Sequence, residues 1–330
     1  MIKIAFVCPY FGKMPNYFPL VLQSMRTNPS IDWIIFTDDQ TKYNYPLNVK
    51  VNYIEFTELQ KKINGIMPVS INLVSPYKLC DLRPFYGIIF KDYLKQYDFW
   101  GFCDFDCIFG NIRHFLTDNI LNHYKKILFL GHMSLFINTL EMENIILQFL
   151  NKREYHKYLK LSNCSFQIDE IILPSFLQKK GIAIYQPSNI IIADICCTKK
   201  PFKICIEYLS YLNDKTIMKG TVIDNKGLVF AYNDGKLLGY SLTNNEISQT
   251  EYMYIHLQKR SMQCFIDDLK NFIIYPNKFL PYSQINKNLL IMSAKSPFIY
   301  LKRWKISYHY RVDPILRKIR LIKYDIFNNN

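Results

Sequence analysis

The 330-residue chain predicts an α/β fold: a mixed, mainly parallel sheet flanked by helices, followed by a basic helical C-terminal extension. Three observations lead there. Short apolar runs typical of buried strands alternate with helical patterns, one such run ends in Asp104-Phe105-Asp106, and basic residues crowd the end of the chain. Strands joined through helices pair in parallel, and such sheets take ligands in the crevice beyond the carboxyl ends of their strands.

Residues 3–8 read as a short buried strand, followed by a Pro/Gly/Asn loop over 9–16 and a helix over 17–26. Residues 32–37, DWIIFT, form a second strand ending in Asp38-Asp39, and 49–56 a third. Thr57 and Gln60 have the spacing of a capping box for the next helix. Ser75 and Pro76 mark a cap and first turn over 76–82, and Pro84 confines the helix proper to 84–96. Residues 98–103 make the next strand and 126–130 continue the sheet. Asn138 with Glu141 then caps a helix, and Asp169-Glu170 opens another. VFAYNDGKLLGYSL, residues 229–242, is two extended runs about Asn233-Asp234-Gly235, a hairpin signal.

Composition narrows the class. The aromatic share, 16%, is high, and its rings can pack a core or line a sugar site. Net charge is +14, and residues 271–330 hold eleven Lys or Arg against Asp313 and Asp325, so the tail is the basic part. Nucleic acid, anionic lipid and water all suit such a tail on charge alone; no nucleic-acid recognition motif accompanies it, so nucleic acid is not expected as a partner. Nine irregularly spaced cysteines, among them the adjacent Cys196 and Cys197, fit a reducing cytosol better than a disulfide framework. Cys103 and Cys107 flank the carboxylates, yet no CxxC pair or second His/Cys cluster completes a zinc set. Residues 1–9 are too short and too early stopped by Pro9 for a signal peptide, and no apolar run of about 18 residues predicts a membrane span.

Residues two apart share a face of extended chain, so Asp104 and Asp106 point together into the crevice while Phe105 faces the core. Hard oxygen ligands at this spacing suit Mg²⁺ or Mn²⁺, which use one or two carboxylates together with a substrate's phosphates. Two aspartates capping a turn, or the helix starting near Asn111, fit the same spacing.

IAFVCPYFGKMPNYF, IIFTDD, SPYKLCDLRPFYG, YDFWGFCDFDCIFGNIR, LGHMSLF and YIHLQKR follow one another in this order. In that series the chain resembles bacterial glycosyltransferases of the GT-A (Rossmann-like) type associated with capsule and lipopolysaccharide synthesis. It is similar, more distantly, to the retaining glycosyltransferase families eight and thirty-two. The resemblance covers roughly residues 1–260. It implies a catalytic domain over 1–270, with a donor half about 1–130 and an acceptor half about 131–270, and leaves 271–330 as the basic extension. The implied activity is metal-dependent transfer of a sugar from a nucleotide-sugar donor, a UDP-sugar first, to a glycan or lipid-linked glycan acceptor. The more distant families lean toward retention, although no residue stands out as the nucleophile.

The resemblance also distributes roles. It brings Pro9, Tyr10 and Phe11 to the nucleotide base and Thr37, Asp38 and Asp39 to base or ribose, though strand-end aspartates also serve as turn formers. Lys78 and Arg83 would meet phosphate and Asp81 would orient sugar hydroxyls or the arginine, the alternative being a surface ion pair. Asp104, Asp106 and His256 would hold Mn²⁺ or Mg²⁺, with Asp104 and Lys259 on the donor diphosphate. Without the resemblance, a histidine in an aromatic strand reads as a packed residue. Gly131 and His132 would border the donor sugar, or Gly131 would serve a turn. Asp169 and Glu170 would orient the acceptor hydroxyl or take its proton, or would only complement a helix dipole.

Other classes leave different marks. A sugar-phosphate nucleotidyltransferase carries a Gly-rich phosphate loop after its first strand, and PYFGKMPNYF has a single Gly. A non-catalytic nucleic-acid- or membrane-binding protein has no need of the carboxylates. In residues 295–327 basic side chains interleave with Trp304, Tyr308, Tyr310, Ile315, Leu316, Ile319, Leu321 and Ile322. That pattern predicts a helix, broken near Pro314, for an anionic membrane surface, and hence a cytoplasmic enzyme held on the inner face of the membrane; packing on the catalytic domain is the alternative.

Overall fold

The central sheet forms where apolar runs are shortest and most regular. β1 (Ile4–Pro9), β2 (Ile31–Thr37), β3 (Val49–Tyr53) and β4 (Phe99–Cys103) are parallel and stand in the order β3-β2-β1-β4. After residues 104–106 the chain leaves this sheet as the short β5 (Cys107–Phe109). It returns with β6 (Lys126–Leu130) and the antiparallel β7 (Met133–Ile137), which zips onto β4, and β8 (Ile184–Tyr185) adds to β6 in parallel. Only β7 runs against its six companions in the order β3-β2-β1-β4-β7-β6-β8, so the sheet is mixed and mainly parallel, in keeping with its apolar runs. The computed structural model describes residues 1–161, 166–187, 191–196, 201–212, 215–222, 226–258, 260–295, 315–316 and 318–322.

Both faces of the sheet are covered. Ala5 and Val7 of β1 face a layer built from the helix Phe56–Ile66, the 3₁₀ stretch Pro76–Phe85 and the helices Leu140–Leu150 and Leu173–Lys179. Ile4, Phe6 and Cys8 face the helix Phe18–Arg26 and two further sheets. β9 (Ile192–Ile195), β10 (Ile204–Leu212) and β11 (Lys215–Val222) belong to the first of these; β12 (Lys226–Asn233), β13 (Lys236–Thr243) and β14 (Glu246–Glu251) form a meander in the other. β15 (Tyr254–His256) inserts between β9 and β5, closing the second sheet as β11-β10-β9-β15-β5. β16 (Gln263–Cys264), β17 (Asn271–Tyr275) and β18 (Lys278–Pro281) complete the third, β14-β13-β12-β17-β18-β16.

Several local expectations are corrected by the structure. Thr57 and Gln60 lie inside the helix Phe56–Ile66, whose entry residue is Glu55, and Gln60 instead donates to the carbonyl of Leu73. Thr139, extended at φ −129° and ψ 155°, caps the helix Leu140–Leu150 by accepting from Met142 N, whereas Asn138 donates to the carbonyls of Leu94 and Tyr97. Adjacent polar residues look alike in sequence, and the backbone turn decides which becomes the cap. Pro84 does not stop the 3₁₀ stretch Pro76–Phe85. Residues 271–281, assigned from charge to the basic extension, are β17 and β18, with β17 paired to β12 through Phe230↔Ile274. Their apolar runs, Phe272–Tyr275 and Phe279–Leu280, outweigh the charge count taken over the whole segment. The hairpin is as expected: Asn233 pairs with Lys236 across Asp234 (φ +38°) and Gly235 (φ +99°), the left-handed two-residue loop that such a turn needs. Most of residues 295–327 lies outside the described residues; 315–316 and 318–322 are helical, and Leu321 packs on the helix-side core. Among the described residues no helix is long and apolar enough to cross a membrane.

Candidate active site and metal centre

Three strands of the second sheet bring the chemistry together. β5 begins directly after Asp106, β15 ends in His256, and β9 carries Asp194; the register sets His256 opposite Cys107 on one side and Asp194 on the other. Consequently His256 Nε2 lies 3.3 Å from Asp106 Oδ1, and its Nδ1 lies 2.6 Å from Asp194 Oδ1. Phe105 turns inward between Tyr10 and Phe18, as the alternation of side chains requires, and leaves Asp104 and Asp106 partly exposed. Asn111, not an aspartate, caps the short helix that follows, by accepting from His114 N. Asp104, Asp106 and His256 offer ligand atoms that all lie within 4.8 Å of one another. Two carboxylate oxygens and one imidazole nitrogen at that spacing suit a divalent cation.

Arg83 organises the other side. Its guanidinium donates to Asp104 Oδ1 and to the carbonyl of Gly131, lies 3.5 Å from Asp169 Oδ2, and rests over the Phe102 ring. Glu170 reaches the same corner, where its Oε1 accepts from Gly131 N at 2.9 Å. A Cβ on Gly131 would fall 2.3 Å from that Oε1, so the glycine makes room for the carboxylate. Burial, with Glu170 close by, raises Asp169 from its ordinary 3.8 to about 7 against the opposing pull of Arg83. The surroundings pull the two stacked histidines in opposite directions. Burial and the neighbouring His256 push His132 down to about 3, whereas His256, which burial alone would lower, is held well above 6.5 by Asp106 and Asp194.

These groups meet at a cleft of about 550 Å³. Pro9, Tyr10, Phe11, Arg83, Asp104 and Asp106 line it, a size suited to a small organic ligand. Gly131, His132, Asp169, Glu170 and His256 are not in its wall; Gly131 and Asp169 touch Arg83 and His256 touches Asp106, and Glu170 and His132 stand behind these. Thr37, Asp38 and Asp39 are not in the cleft wall. The Thr37 hydroxyl accepts from Asp39 N, Asp38 accepts from Gly12 N at 2.7 Å, and Asp39 accepts from Met14 N at 3.0 Å and from Lys13 Nζ at 2.9 Å. They pin the loop that carries Tyr10 and Phe11. Lys78 and Asp81 are sealed in the core as a pair at 2.7 Å, with Asp81 also accepting from Phe166 N, because a buried charge needs a partner more than it needs solvent. Lys259 lies outside the described residues.

Two residues of the site escaped the sequence analysis. Asp194, 4% exposed, is the carboxylate behind His256, and Arg260 lines the cleft with Nη2 donating to the carbonyl of Cys196. A lone charge within the apolar IIIADIC run was the available signal for Asp194, since a charge in a buried strand implies a distant partner. Among the described residues, neither metal-capable group includes a cysteine.

A family model, described as a family of unknown function (DUF6625), matches residues 6–283. No curated protein matches the chain. Among solved structures, the galactosyltransferase LgtC in complex with donor and acceptor sugar analogues is similar at 12% identity with a TM-score of 0.35, the match covering 58% of this chain and 76% of that chain.

Proposed function

Because the chain belongs to this family of unknown function, whose description names no activity, we propose a function from the site itself: metal-dependent glycosyl transfer from a nucleotide-sugar, a UDP-sugar first, to a glycan or lipid-linked glycan in bacterial surface polysaccharide synthesis. The observation that carries this reading is the convergence of Asp104, Asp106 and His256 beside a cleft walled by Tyr10, Phe11, Arg83 and Arg260. Tyr10 and Phe11 offer ring faces to a nucleotide base. Arg83 holds Asp104 in place, and with Arg260 it balances the two carboxylates of the cleft wall, so that a bound cation would add the positive charge that a diphosphate requires. Bound Mn²⁺ or Mg²⁺ would supply charge for a departing nucleoside diphosphate. Asp169 and Glu170 stand beyond Gly131, where a carboxylate can orient an acceptor hydroxyl and accept its proton. An acceptor anchored in lipid agrees with a cytoplasmic enzyme working on the inner membrane face through its basic tail.

The first test is a thermal-shift series of UDP-, GDP- and CMP-sugars with and without Mn²⁺, in which the cognate donor raises the midpoint only with the metal present. Asp106→Ala is expected to keep the fold and lose donor hydrolysis by at least about 100-fold, since a cation clamp carries several kcal/mol of transition-state charge. Wild-type hydrolysis in that variant, or in excess chelator, removes the metal from the reading.

A further inference from the structure

The ring of His256 has two nitrogens, one facing Asp106 of the cleft wall and the other facing the buried Asp194. We infer that Asp194 is a positioning residue that holds His256 with Nε2 turned toward Asp106 and the cation site; the inference rests on the metal-dependent reading above. In the parallel register of β9 and β15 the two residues are direct neighbours, and Asp194 Oδ1 accepts from Nδ1–H at 2.6 Å. Gln258, two residues beyond His256, donates its amide to both oxygens of Asp194, at 3.0 and 2.8 Å, so the carboxylate is itself fixed. The His132 ring lies against His256 with centroids 4.2 Å apart and planes 25° apart, and is tied to the Tyr254 hydroxyl at 2.9 Å, which blocks rotation of the His256 ring. A carboxylate on Nδ1–H keeps that proton in place and leaves Nε2 as the nitrogen with a lone pair for a cation.

The same three groups, His132, Asp194 and His256, also have ligand atoms within 4.8 Å of one another, so Asp194 as a ligand of its own cation is the rival to be tested. The experiment titrates the full chain with Mn²⁺, reads affinity and stoichiometry from the paramagnetic resonance of free Mn²⁺, and reads histidine ligation from ¹⁴N coupling in pulsed spectra. Wild type is expected to bind one Mn²⁺ with ¹⁴N coupling, and His256→Ala to lose that coupling. Asp194→Ala should weaken binding by about 10- to 100-fold and diminish the coupling, while Asp194→Asn, which keeps an acceptor for Nδ1–H, should lose less. A folded Asp194→Ala with wild-type affinity and coupling overturns the inference while leaving His256 a ligand. Two Mn²⁺ in wild type and one in Asp194→Ala also overturns it, making Asp194 a ligand. Absence of ¹⁴N coupling in wild type, or unchanged binding in His256→Ala, overturns the metal reading and the inference with it. If Asp194→Ala does not fold, Asp194→Asn and Gln258→Leu carry the test, and wild-type affinity in both is the contrary result.

Discussion

Asp169 has its carboxyl raised to about 7 by burial, against 3.8 in the unfolded chain. A carboxyl raised in this way binds its proton more tightly when folded, so its contribution to stability is full below 3.8 and is lost as pH rises through about 7. Thermal midpoints are therefore expected to fall between about pH 4 and 7 more steeply in wild type than in Asp169→Asn. Parallel pH slopes would place the carboxyl in its ordinary range. If Asp169 takes the acceptor's proton, turnover rises with pH through the same interval and Asp169→Asn flattens that limb. Gly131→Ala tests the opposite side of the corner. Its Cβ meets the carboxylate of Glu170, which Gly131 N and Gln167 hold, with Arg83 close by, so stability should fall by about 1–3 kcal/mol while transfer to the acceptor falls more than donor hydrolysis. Equal losses in both reactions would separate Glu170 from the acceptor.

At the scale of elements, the loop after β1 depends on the end of β2. Asp39, 3% exposed, accepts from Met14 N, Lys13 Nζ and Thr41, which ties residues 13–14 to a strand end some 25 positions later. Asp39→Ala is expected to cost about 1–3 kcal/mol, as buried donors lose a charged acceptor, and to weaken donor binding for every nucleotide alike, because the residue shapes the loop and does not line the cleft. A change in nucleotide preference would argue for direct contact instead. Calorimetric unfolding with nucleotide binding isotherms measures both effects. The register between β5, β15 and β9 works at the same scale: a one-residue slip of β15 would carry His256 to the other face and away from Asp106.

For the whole molecule, the described part of the tail presents two sides. Leu321 packs on the helix-side core while Ile315, Ile319 and Ile322 are 60%, 44% and 50% exposed, with Lys318 and Arg320 among them. Such an arrangement suits a helix that touches the domain on one side and an anionic bilayer on the other, where each basic residue contributes about 1 kcal/mol. Full-length protein should co-sediment with anionic vesicles at low salt and be released at high salt, and a truncation at residue 295 should stay in solution yet hydrolyse donor. Indifference to vesicles, or failure of the truncation to fold, makes the tail purely a packing element.

Periodicity made β1, β2, β3, β4 and β6 of the central sheet, the hairpin at Asn233 and the inward turn of Phe105 legible, because each follows from local backbone geometry and from which face of a strand water can reach; β7 and β8 were not foreseen. Asp104, Asp106, Arg83 and His256 could be singled out by residue type and order along the chain. Their meeting could not, since it depends on β15 entering between β5 and β9, two strands that both lie far earlier in the chain and far from each other. Burial made the remaining choices. Lys78 and Asp81, ionic residues five and two positions before Arg83, satisfy each other inside the core, while Asp194, hidden in an apolar run, becomes the partner of His256. A charge taken out of water must find its counterpart wherever the folded chain puts one, and that location is a property of three dimensions with no local trace in the sequence.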